Sequence, residues 1–589
     1  MAKSRMVRLM VSNIIIRFNR KVLFYFCLWL GIVTIAKAQE TGGTDDLGRT
    51  LPNYEEIGDK KDRTVAMFYF LWHGDNTSAI HYDLSKIIPQ HPEVLNDFDN
   101  PHWGGGGMYY WGEPLYGYYK ADDYWVHLRS LQLLTDAGVD LLVIDATNRL
   151  IYADRANVLM NAMDTIRKQG KTPPKIVFYT NTSSGETMED VYETFYKKRA
   201  KYYHPESWFY LDGKPMILGH SKEVNGKEAG DFFTIRESQW PNEPYKENSW
   251  PWIEFQRSQM VHKNHKGEVE IMNVSVAQHP NPTAGMGGSA FYGNQDNWGR
   301  SFRNGKKGNP VADIIMGYNF QEQWDNVLKV DPPIVFVTGW NEWIATKFES
   351  HDDNPEHAWF CDQASPEYSR DIEPTRTGGL KDHYYMQLVG NVRRYKGGVK
   401  TMTFGNDKTI KGLKDWEEVD VKFKDYTGET DPRNHVGAQS EPKVTYTNFT
   451  GRNDFQTLKV ARDNQSIFFY AQTTKPISGN NSDNWMRLYL DIDRDFETGW
   501  KGYDFRIVQG NQLQKFREGN WVTISQVVHV VSGNEMMITL PRSLDKRLME
   551  ALNLEFKWSD NMQDDTDPLD WYVNGDVAPG GRLNYIIRD

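Results

Sequence analysis

The stretch "ADDYWVHLRSLQLLTDAGVDLLVIDATN", residues 121–148, joins a helix pattern directly to a strand pattern. Asp122 or Asp123 can cap the helix, and Gly138 can end it. Apolar residues recur on one helical face at Tyr124, Leu128, Leu131 and Leu134. The run "LLVIDA" that follows is apolar throughout, which is typical of a parallel strand buried on both sides. This unit predicts a parallel sheet covered by helices.

Similar units recur between Thr64 and Gly397. Strand-like runs are "TVAMFYFLW", "PKIVFYTN", "KPMILGH", "IMNVSVAQHP" and "PIVFVTGWNEW", and helix-like runs include "ANVLMNAMDTIRKQG", "MEDVYETFYKKRAKYY" and "NFQEQWDNVLKV". About seven or eight such units predict an α/β fold of the (β/α)₈ TIM-barrel type, with a doubly wound sheet as the alternative.

The character of the chain changes near residues 397–400. Beyond this point the runs "SIFFYAQT", "WMRLYLDID", "YDFRIVQ", "QVVHVVS" and "EMMITLP" are short and separated by turns. Such runs predict an antiparallel β-sandwich. The predicted organisation is a signal peptide over 1–38, a linker over 39–63, a barrel over 64–397 and a sandwich over 398–589.

The N-terminus has the pattern of an export signal. Basic residues precede the apolar run "VLFYFCLWLGIVTIA", and Ala36 and Ala38 lead to a predicted cleavage before Gln39. An uncleaved signal anchor is the alternative. Cleavage would leave Cys361 as the only cysteine, so no intramolecular disulfide could form. We therefore predict an exported, bacterial protein of the periplasm or cell surface, with no membrane span in the mature chain.

Composition narrows the class of partner. The formal net charge of the 589 residues is -11, with acids spread along the chain, which argues against nucleic acid. Aromatic residues make up 13% of the chain and include 20 tryptophans. Apolar sugar faces stack on such rings, although large aromatic cores account for them equally well. No phosphate loop, dinucleotide fingerprint or thiolate zinc cluster is present, so no cofactor is predicted.

Polar and aromatic residues follow several predicted strands, where a parallel barrel places its catalytic groups. They are Tyr69, Trp72, His73, Asp145, Asn148, Tyr179, Asn181, His220, His279, Asn341 and Glu342. Glu342 lies between Trp340 and Trp343, and a carboxyl group against indole rings loses hydration, which favours its acid form. We predict that Glu342 is catalytic, that it opens into a sugar-sized cleft, and that it meets a second acid there.

The runs "VAMFYFLWHG", "PLYGYYKADDYWVHLRSLQLLTDAGVDLLVIDATN" and "YNFQEQWDNVLKVDPPIVFVTGWNEW" resemble successive landmarks of the glycoside hydrolase family 71/99-like proteins. That group includes endo-α-mannosidases. The resemblance covers about residues 64–397 and implies a (β/α)₈ barrel that cleaves glycosidic bonds without a metal. From the predicted strand ends we expect the sugar site to be lined by Tyr69, Trp72, His73, Asn181, His279, Trp340, Asn341 and Trp343.

The chain departs from the endo-mannosidase pattern at Ala345. In that branch a second catalytic glutamate follows the first by three residues, and here Ala345 occupies that place. Hydrolysis needs two carboxyl groups, about 5–5.5 Å apart for retention or about 6.5–9.5 Å apart for inversion. The candidate partners are Asp145, which ends a predicted strand, and three further acids: Glu254, Glu349 and Glu373. Glu373 lies in "SRDIEPT", which resembles the "LEP" segment of biosynthesis-associated members.

The C-terminal runs "GLKDWEEVDVKFKDYTGETDPRN", "LYLDIDRDFETGWKGYDFRI" and "DWYVNGDVAPGGRLNYII" are similar to carbohydrate-binding module family 9-like sandwiches. In "DIDRDFETG" the alternate acids Asp491, Asp493 and Asp495 have a spacing that suits a structural Ca²⁺, with solvated turn acids as the alternative. Three aromatic residues could form a sugar platform or belong to the core: Trp485, Trp500 and Trp571.

The sequence therefore predicts an exported glycoside hydrolase acting on a polysaccharide or oligosaccharide. Glu342→Gln is expected to fold and to lose cleavage. A non-catalytic glycan-binding protein that keeps the barrel groove is the first alternative, and a structural surface protein is the second. A buried ion pair at Glu342, or a closed interior around its side chain, would contradict the enzymatic prediction and leave only the predicted architecture.

Overall fold

A computed structural model describes residues 40–74, 82–104, 107–241, 243–280, 288–290, 297–349, 358–361, 365–438, 444–479, 482 and 484–589. The predicted signal peptide lies outside these residues. Residues 39–589 form one compact unit. In the described part of the chain no helix is both long enough and apolar enough to cross a membrane.

Eight parallel strands form a nearly closed, barrel-like sheet. They are β1 (Thr64–Tyr69), β2 (Leu141–Ala146), β3 (Lys175–Thr180), β4 (Lys214–Gly219), β5 (Thr234–Gln239), β6 (Ser249–Pro251), β7 (Val269–Ser275) and β8 (Ile334–Thr338). The strand order is β7-β8-β1-β2-β3-β4-β5-β6, so it follows the chain around a circle. A doubly wound sheet reverses its strand order at a switch point, and this sheet does not.

Closure of the sheet between β6 and β7 depends on side chains rather than on a strand ladder. Trp250 Nε1 donates to Glu270 Oε2 at 2.9 Å, and the backbone N–H of Glu254 donates to Asn273 Oδ1 at 3.2 Å. The short strand His262–Lys263 pairs antiparallel with β7 at this edge. The barrel is therefore nearly closed, with one seam.

Six helices accompany the sheet: α1 (Tyr124–Asp136), α2 (Ala153–Lys168), α3 (Ser184–Val191), α4 (Glu228–Phe232), α5 (Tyr318–Val330) and α6 (His383–Lys396). The described residues contain no helix between β5 and β6 or between β6 and β7, which departs from the regular alternation predicted by the sequence. Shorter helices are Tyr54–Ile57, Leu84–Gln90 and Lys546–Met549.

Helix α1 forms as its sequence predicts. The Asp123 side chain accepts a hydrogen bond from the backbone N–H of Trp125, and Gly138 takes a positive φ just beyond the end of the helix. Leu128, Leu131 and Leu134 are buried, whereas Tyr124 lies at the exposed edge of the predicted face.

The C-terminal region contains two large antiparallel sheets and a two-stranded one, in which Arg433–Val436 pairs with Thr445–Asn448. Its main strands are β9 (Lys422–Lys424), β10 (Phe455–Arg462), β11 (Ser466–Thr473), β12 (Arg487–Asp491), β13 (Phe505–Val508), β14 (Gln512–Arg517), β15 (Asn520–Gln526), β16 (Val528–Ser532), β17 (Glu535–Pro541), β18 (Asn553–Asp560), β19 (Asp576–Ala578) and β20 (Asn584–Arg588). One sheet has the order β9-β10-β11-β17-β16 and the other runs from β20 through β18, β12, β13 and β14 to β15. Rings from both sheets meet in one core, with Phe423 and Phe469 against Phe556 at 5.2 and 5.6 Å.

The segment predicted to be a linker is instead packed against the C-terminal sheets. Thr41 and Gly42 pair antiparallel with β20, and Leu51 is buried in the barrel core cluster. The Arg49 guanidinium donates to Asp45 and to the backbone carbonyl oxygen of His383 at 2.8 Å. The first part of this segment, up to Pro52, is therefore packed, whereas Glu55, Glu56 and Lys60 farther along are exposed.

The barrel-like sheet and the C-terminal sheets share a polar contact surface. Arg433 is paired with Asp123 at 2.8 Å, so the residue that caps α1 also holds the C-terminal region. Arg129 of α1 is paired with Glu429 at 2.8 Å. Tyr572 donates its hydroxyl to Asp382 at 2.8 Å just before α6.

Candidate functional site

The site is built where β8 ends. After Thr338 the chain passes through Trp340–Trp343 and enters a second strand, Ile344–Glu349, which pairs antiparallel with Met108–Tyr110. The segment 370–373 lies alongside, because the backbone N–H groups of Ile372 and Glu373 both donate to the carbonyl oxygen of Trp340, at 3.2 and 3.0 Å. Glu342, Asp371 and Glu373, which are at most 31 residues apart in the chain, therefore lie together at the end of β8.

Glu342 forms a buried ion pair with Arg370. Its side chain is 2% exposed and that of Arg370 is fully buried. The other side of the guanidinium contacts His279 Nδ1 at 3.3 Å, and it also lies over the Trp252 ring at 4.9 Å. The sequence predicts an acid that opens into a cleft and faces a second acid, and in this structure Glu342 faces a guanidinium instead.

The two indoles beside Glu342 have separate environments. Trp340 is fully buried in the main barrel core. Trp343 stacks on Trp111, with ring centroids 4.7 Å apart and an angle of 14°. Both rings therefore pack against other side chains, and neither has an open face on which a sugar could stack.

Asp371 lies between the ion pair and the stacked indoles. Its carboxyl group accepts hydrogen bonds from the backbone N–H of Glu342 and from Trp111 Nε1, the latter at 2.7 Å. Burial raises the pKa of Asp371 to about 6, and the two hydrogen bonds and the nearby arginines oppose that rise. Asp371 thus orients Glu342 through its backbone.

Among the acids of this site, Glu373 has the largest pKa shift. It is buried and accepts hydrogen bonds from the Tyr119 hydroxyl at 2.8 Å and from Trp343 Nε1. Burial raises its pKa to about 8, Asp371 adds to the rise, and the hydrogen bonds from Trp343 and Tyr119 oppose it. At neutral pH Glu373 therefore carries a proton for most of the time.

Asp145, the partner that the sequence favours for Glu342, turns toward its own loop. Its Oδ1 accepts hydrogen bonds from the backbone N–H of Thr147 at 3.0 Å and from the Thr147 hydroxyl at 2.7 Å. This is the local turn motif that aspartate commonly forms, and it stabilises the exit from β2.

The remaining candidate acids, Glu254 and Glu349, have other surroundings. Glu254 accepts backbone hydrogen bonds from Gln256 at 2.8 Å and Met260 at 3.2 Å, so it caps its own loop. Glu349 is exposed near the end of its strand. Ala345 is buried in a small apolar cluster with Trp103 and Tyr109.

Most of the predicted sugar-lining residues are buried. Trp72 and Asn181 keep partial exposure, whereas six are almost completely enclosed: Tyr69, His73, His279, Trp340, Asn341 and Trp343. Tyr69 bonds to His127 at 2.8 Å, Asn341 bonds to the backbone of Phe70 on both sides, and Asn181 accepts from Ser238 at 2.9 Å. Their hydrogen-bonding capacity is largely used within the protein.

His73 differs from the others. Neither ring nitrogen makes a hydrogen bond of good geometry to a described residue, although the side chain is only 1% exposed. A nearby polar group, the backbone of Asn341, opposes the fall in its pKa. Burial lowers its pKa to about 3, and Arg155 adds to that effect, so the ring is neutral. The ring packs on Tyr119, the residue that donates to Glu373, with centroids 5.3 Å apart. A buried polar group of this kind is rare in folded proteins and is often explained by a ligand or water.

The acidic loop of the C-terminal region has a different membership from the prediction. Carboxylate oxygens of Asp491, Asp493 and Asp504 lie within 4.8 Å of one another. Asp495 is exposed, accepts from the backbone of Glu497, and is not in this group. Arg547 donates to both Asp493 and Asp504, so an arginine already neutralises part of the charge.

The three tryptophans of that region do not form an open platform. Trp485 is buried and donates to the carbonyl oxygen of Ser478 at 2.7 Å. Trp571 is buried as well, and Trp500 keeps partial exposure beside it, with ring centroids 5.7 Å apart.

Four residues of the site escape the sequence prediction: Trp111, Tyr119, Arg370 and Asp371. For Arg370 and Asp371 the signal lies in "SRDIEPT", where two acids and an arginine fall within four positions beside a proline. That density of charge in an otherwise aromatic region indicates a buried polar network, but the partner of each charge lies far away in the chain.

No protein-family model matches the chain, and no curated protein matches it. Among solved structures the chain is similar to the GH99 endo-alpha-mannosidase from Bacteroides thetaiotaomicron, with 12% identity, coverage of 57% of this chain and 98% of that chain, and a TM-score of 0.32. A glycoside hydrolase-like protein covers 60% of this chain and 98% of its own at 12% identity, with a TM-score of 0.28. Alpha-L-fucosidase isoenzyme 1 from Paenibacillus thiaminolyticus covers 81% and 97% at 11% identity, with a TM-score of 0.20. Because all three TM-scores are below 0.5, we base the functional assignment on the side chains described above.

Proposed function

We propose that the protein is a glycoside hydrolase that cleaves a polysaccharide or oligosaccharide by carboxylate acid–base catalysis. One arrangement supports this most strongly: two buried glutamates in contrasting surroundings lie on neighbouring segments at one strand end. Glu342 is ion-paired with Arg370, whereas burial raises the pKa of Glu373 to about 8. Glycosidic cleavage needs one ionised and one protonated carboxyl group, and contrasting environments are how proteins obtain them.

In this proposal Glu373 is the proton donor to the leaving oxygen. Tyr119 and Trp343 hold its carboxyl group in place. Glu342 is the anionic partner, although the closed ion pair with Arg370 is the outcome that counts against its catalytic role, so Glu342 acts on the sugar or on a water molecule only when substrate binding opens that pair. Arg370 fixes the orientation of Glu342 and keeps it ionised, and Asp371 fixes its backbone.

The sugar subsite would lie near His73. Its neutral ring is enclosed, so its nitrogens would reach sugar hydroxyls only after the site opens. Trp72, the preceding residue, and Asn181, which follows β3, keep partial exposure. Because Glu342 and Glu373 are buried, a sugar can reach them only after side chains above them move. Substrate binding is therefore expected to be coupled to a local rearrangement.

A non-catalytic glycan-binding protein is the second candidate. Two observations favour it: the ion pair that occupies Glu342, and Ala345 packed among apolar rings in place of a second acid. A glycan could then bind to the exposed surface of Trp72 and Asn181 without being cleaved.

The architecture of the proposed enzyme is a (β/α)₈-type barrel that has lost two helices, followed by a module that resembles carbohydrate-binding sandwiches. We also propose that the protein is exported from a bacterial cell, because basic residues, an apolar run and Ala36 and Ala38 precede residue 39. Binding of sugar by the C-terminal sheets would require surface other than Trp485 and Trp571, which are buried.

The test is release of reducing ends from a panel of polysaccharides and N-glycans by the purified protein. We expect turnover by the wild type and at least about a hundredfold loss for Glu373→Gln and Glu342→Gln, since acid–base groups contribute factors of this size. Glu254→Gln is the matched control, because it removes a buried acid of the same barrel that caps a loop. Retention of a glycan without any release would support the binding protein, and full turnover by Glu373→Gln would exclude the proposed acid.

A further inference from the structure

Three buried carboxyl groups converge where helix α1 meets the C-terminal sheets. They belong to Asp425, Glu429 and Asp576, and one carboxylate oxygen of each lies within 4.8 Å of the others. The residues are 6%, 6% and 1% exposed. Like charges this close are costly to bury unless something compensates them.

Each of the three carboxyl groups uses only one of its oxygens within the protein. Glu429 Oε1 accepts from Arg129 at 2.8 Å, Asp576 Oδ2 accepts from the backbone N–H of Phe455, and Asp425 Oδ1 has a long contact of 3.5 Å with the Tyr585 hydroxyl. The other oxygens, Asp425 Oδ2, Glu429 Oε2 and Asp576 Oδ1, make no hydrogen bond to any described residue. Buried oxygens are almost always paired, so three in one place indicate a missing partner.

The surroundings do not supply enough positive charge. Among cationic side chains of the described residues, only Arg129 is hydrogen-bonded to a member of the trio. Lys171 stacks over the Tyr426 ring at 3.6 Å, and Lys557 donates to backbone carbonyl oxygens. Asp136 and Asp454 add further negative charge near the trio, and burial with this repulsion raises the pKa values of Asp425, Glu429 and Asp576.

There is room for a ligand beside the trio. A small cleft of about 20 Å³, enough for about one water-sized ligand, is lined by Glu429 and Asp576, but not by Asp425, together with Arg129, Asp136, Tyr426 and Gly575. The cleft gives an ion or a water molecule access to Glu429 and Asp576.

We propose that Asp425, Glu429 and Asp576 bind one divalent cation of the calcium class at this seam. Oxygen ligands in an irregular arrangement suit Ca²⁺, which accepts six to eight of them, whereas Mg²⁺ needs near-ideal octahedral geometry and Zn²⁺ prefers nitrogen and sulfur. The three free oxygens would be ligands, and water in the cleft would complete the shell. Asp425 and Glu429 flank Tyr426, which bonds to Asp136 of α1 at 2.9 Å, so the ion would stabilise the junction with the barrel.

This site is distinct from the acidic loop at Asp491. In that loop Arg547 bonds to Asp493 and Asp504, so the carboxylates already have a cationic partner. Asp493→Asn is therefore the matched control: it removes an acid from a three-carboxylate group elsewhere in the same region and should leave the proposed site intact.

The experiment is isothermal titration of CaCl₂ into purified full-length protein that has been stripped with EDTA, with thermal melts in parallel. We expect saturable Ca²⁺ binding and a melting temperature at least about 2 °C higher in excess Ca²⁺ than in EDTA. Asp425→Asn and Asp576→Asn should weaken the binding at least tenfold, and Asp493→Asn should not. Mg²⁺ at the same concentration should give a smaller rise.

Two results would overturn the proposal. One is absence of Ca²⁺ binding by the wild type at millimolar concentrations, which would mean that protons alone neutralise the trio. The other is Ca²⁺ binding that survives in the Asp425 and Asp576 variants. Glu429→Gln is the second variant if either asparagine variant fails to fold, because its amide oxygen can still accept from Arg129.

Discussion

The contribution of the Glu342–Arg370 ion pair to stability can be tested directly. Both side chains are essentially inaccessible to water, so removal of one partner leaves the other charge in a medium that solvates it poorly. Removing one partner from such a pair costs about 3–5 kcal/mol, which is a large part of the 5–15 kcal/mol that is typical of a folded protein. Arg370→Met should therefore destabilise the protein by about that amount.

Glu342→Gln should cost less, about 2–3 kcal/mol, because the amide oxygen keeps one hydrogen bond from the guanidinium. This differs from the sequence-based expectation that the variant folds normally. The double variant, with both Glu342→Gln and Arg370→Met, leaves no unpaired buried charge. Its loss of unfolding free energy should therefore be smaller than the sum of the two single losses by at least about 2 kcal/mol.

The assay is urea unfolding followed by tryptophan fluorescence and by circular dichroism, with coincidence of the two curves as the check on two-state behaviour. Glu349→Gln is the control from the same segment, and as an exposed acid it should change the free energy of unfolding by less than about 0.5 kcal/mol. Two results would refute the reasoning: losses of unfolding free energy that are additive in the double variant, or a Glu342→Gln variant as stable as the wild type. Glu342 would then be interpreted as an acid that faces a groove.

Two further predictions follow from the described contacts. Because the folded state raises the pKa of Glu373 to about 8 from an ordinary 4.5, the folded protein holds a proton that the unfolded chain releases. Unfolding free energy should therefore fall as pH rises from about 4.5 to about 8, by up to about 1.4 kcal/mol per pH unit for this group, and melts of Glu373→Gln should show a flatter slope over that range. Truncation of residues 39–52 should lower the melting temperature, since it removes the pairing of Thr41 and Gly42 with β20 and the buried Leu51; an unchanged melt would show that this segment is a linker after all.

Local signals were sufficient for the elements whose residues are apolar or capped nearby. Helix α1 has its cap at Asp123 and its stop at Gly138 within its own sequence, and six of the eight barrel strands are apolar runs. Strand β5, "TIRESQ", was missed because its buried Arg236 is paired with Glu270 of β7 at 2.7 Å. A charge that is compensated by a distant strand looks like a loop residue in the sequence.

The candidate site, too, could be predicted only in part from the sequence. The sequence alone indicated that Glu342 lies at a strand end among aromatic rings, and it included Glu373 among the candidate partners. It did not indicate which acid would be ionised, because that depends on Arg370 beside Glu342 and on burial around Glu373. It favoured Asp145, whose side chain instead bonds to Thr147.

The amino-acid sequence by itself determined the succession of apolar strands and helices and the change to an antiparallel pattern after residue 397, because periodicity, caps and turns act over a few residues. Tertiary structure alone decided the partner and protonation of each buried charge. Coulomb interactions and desolvation act through space, and their strength is set by neighbours that are tens or hundreds of residues away in the chain.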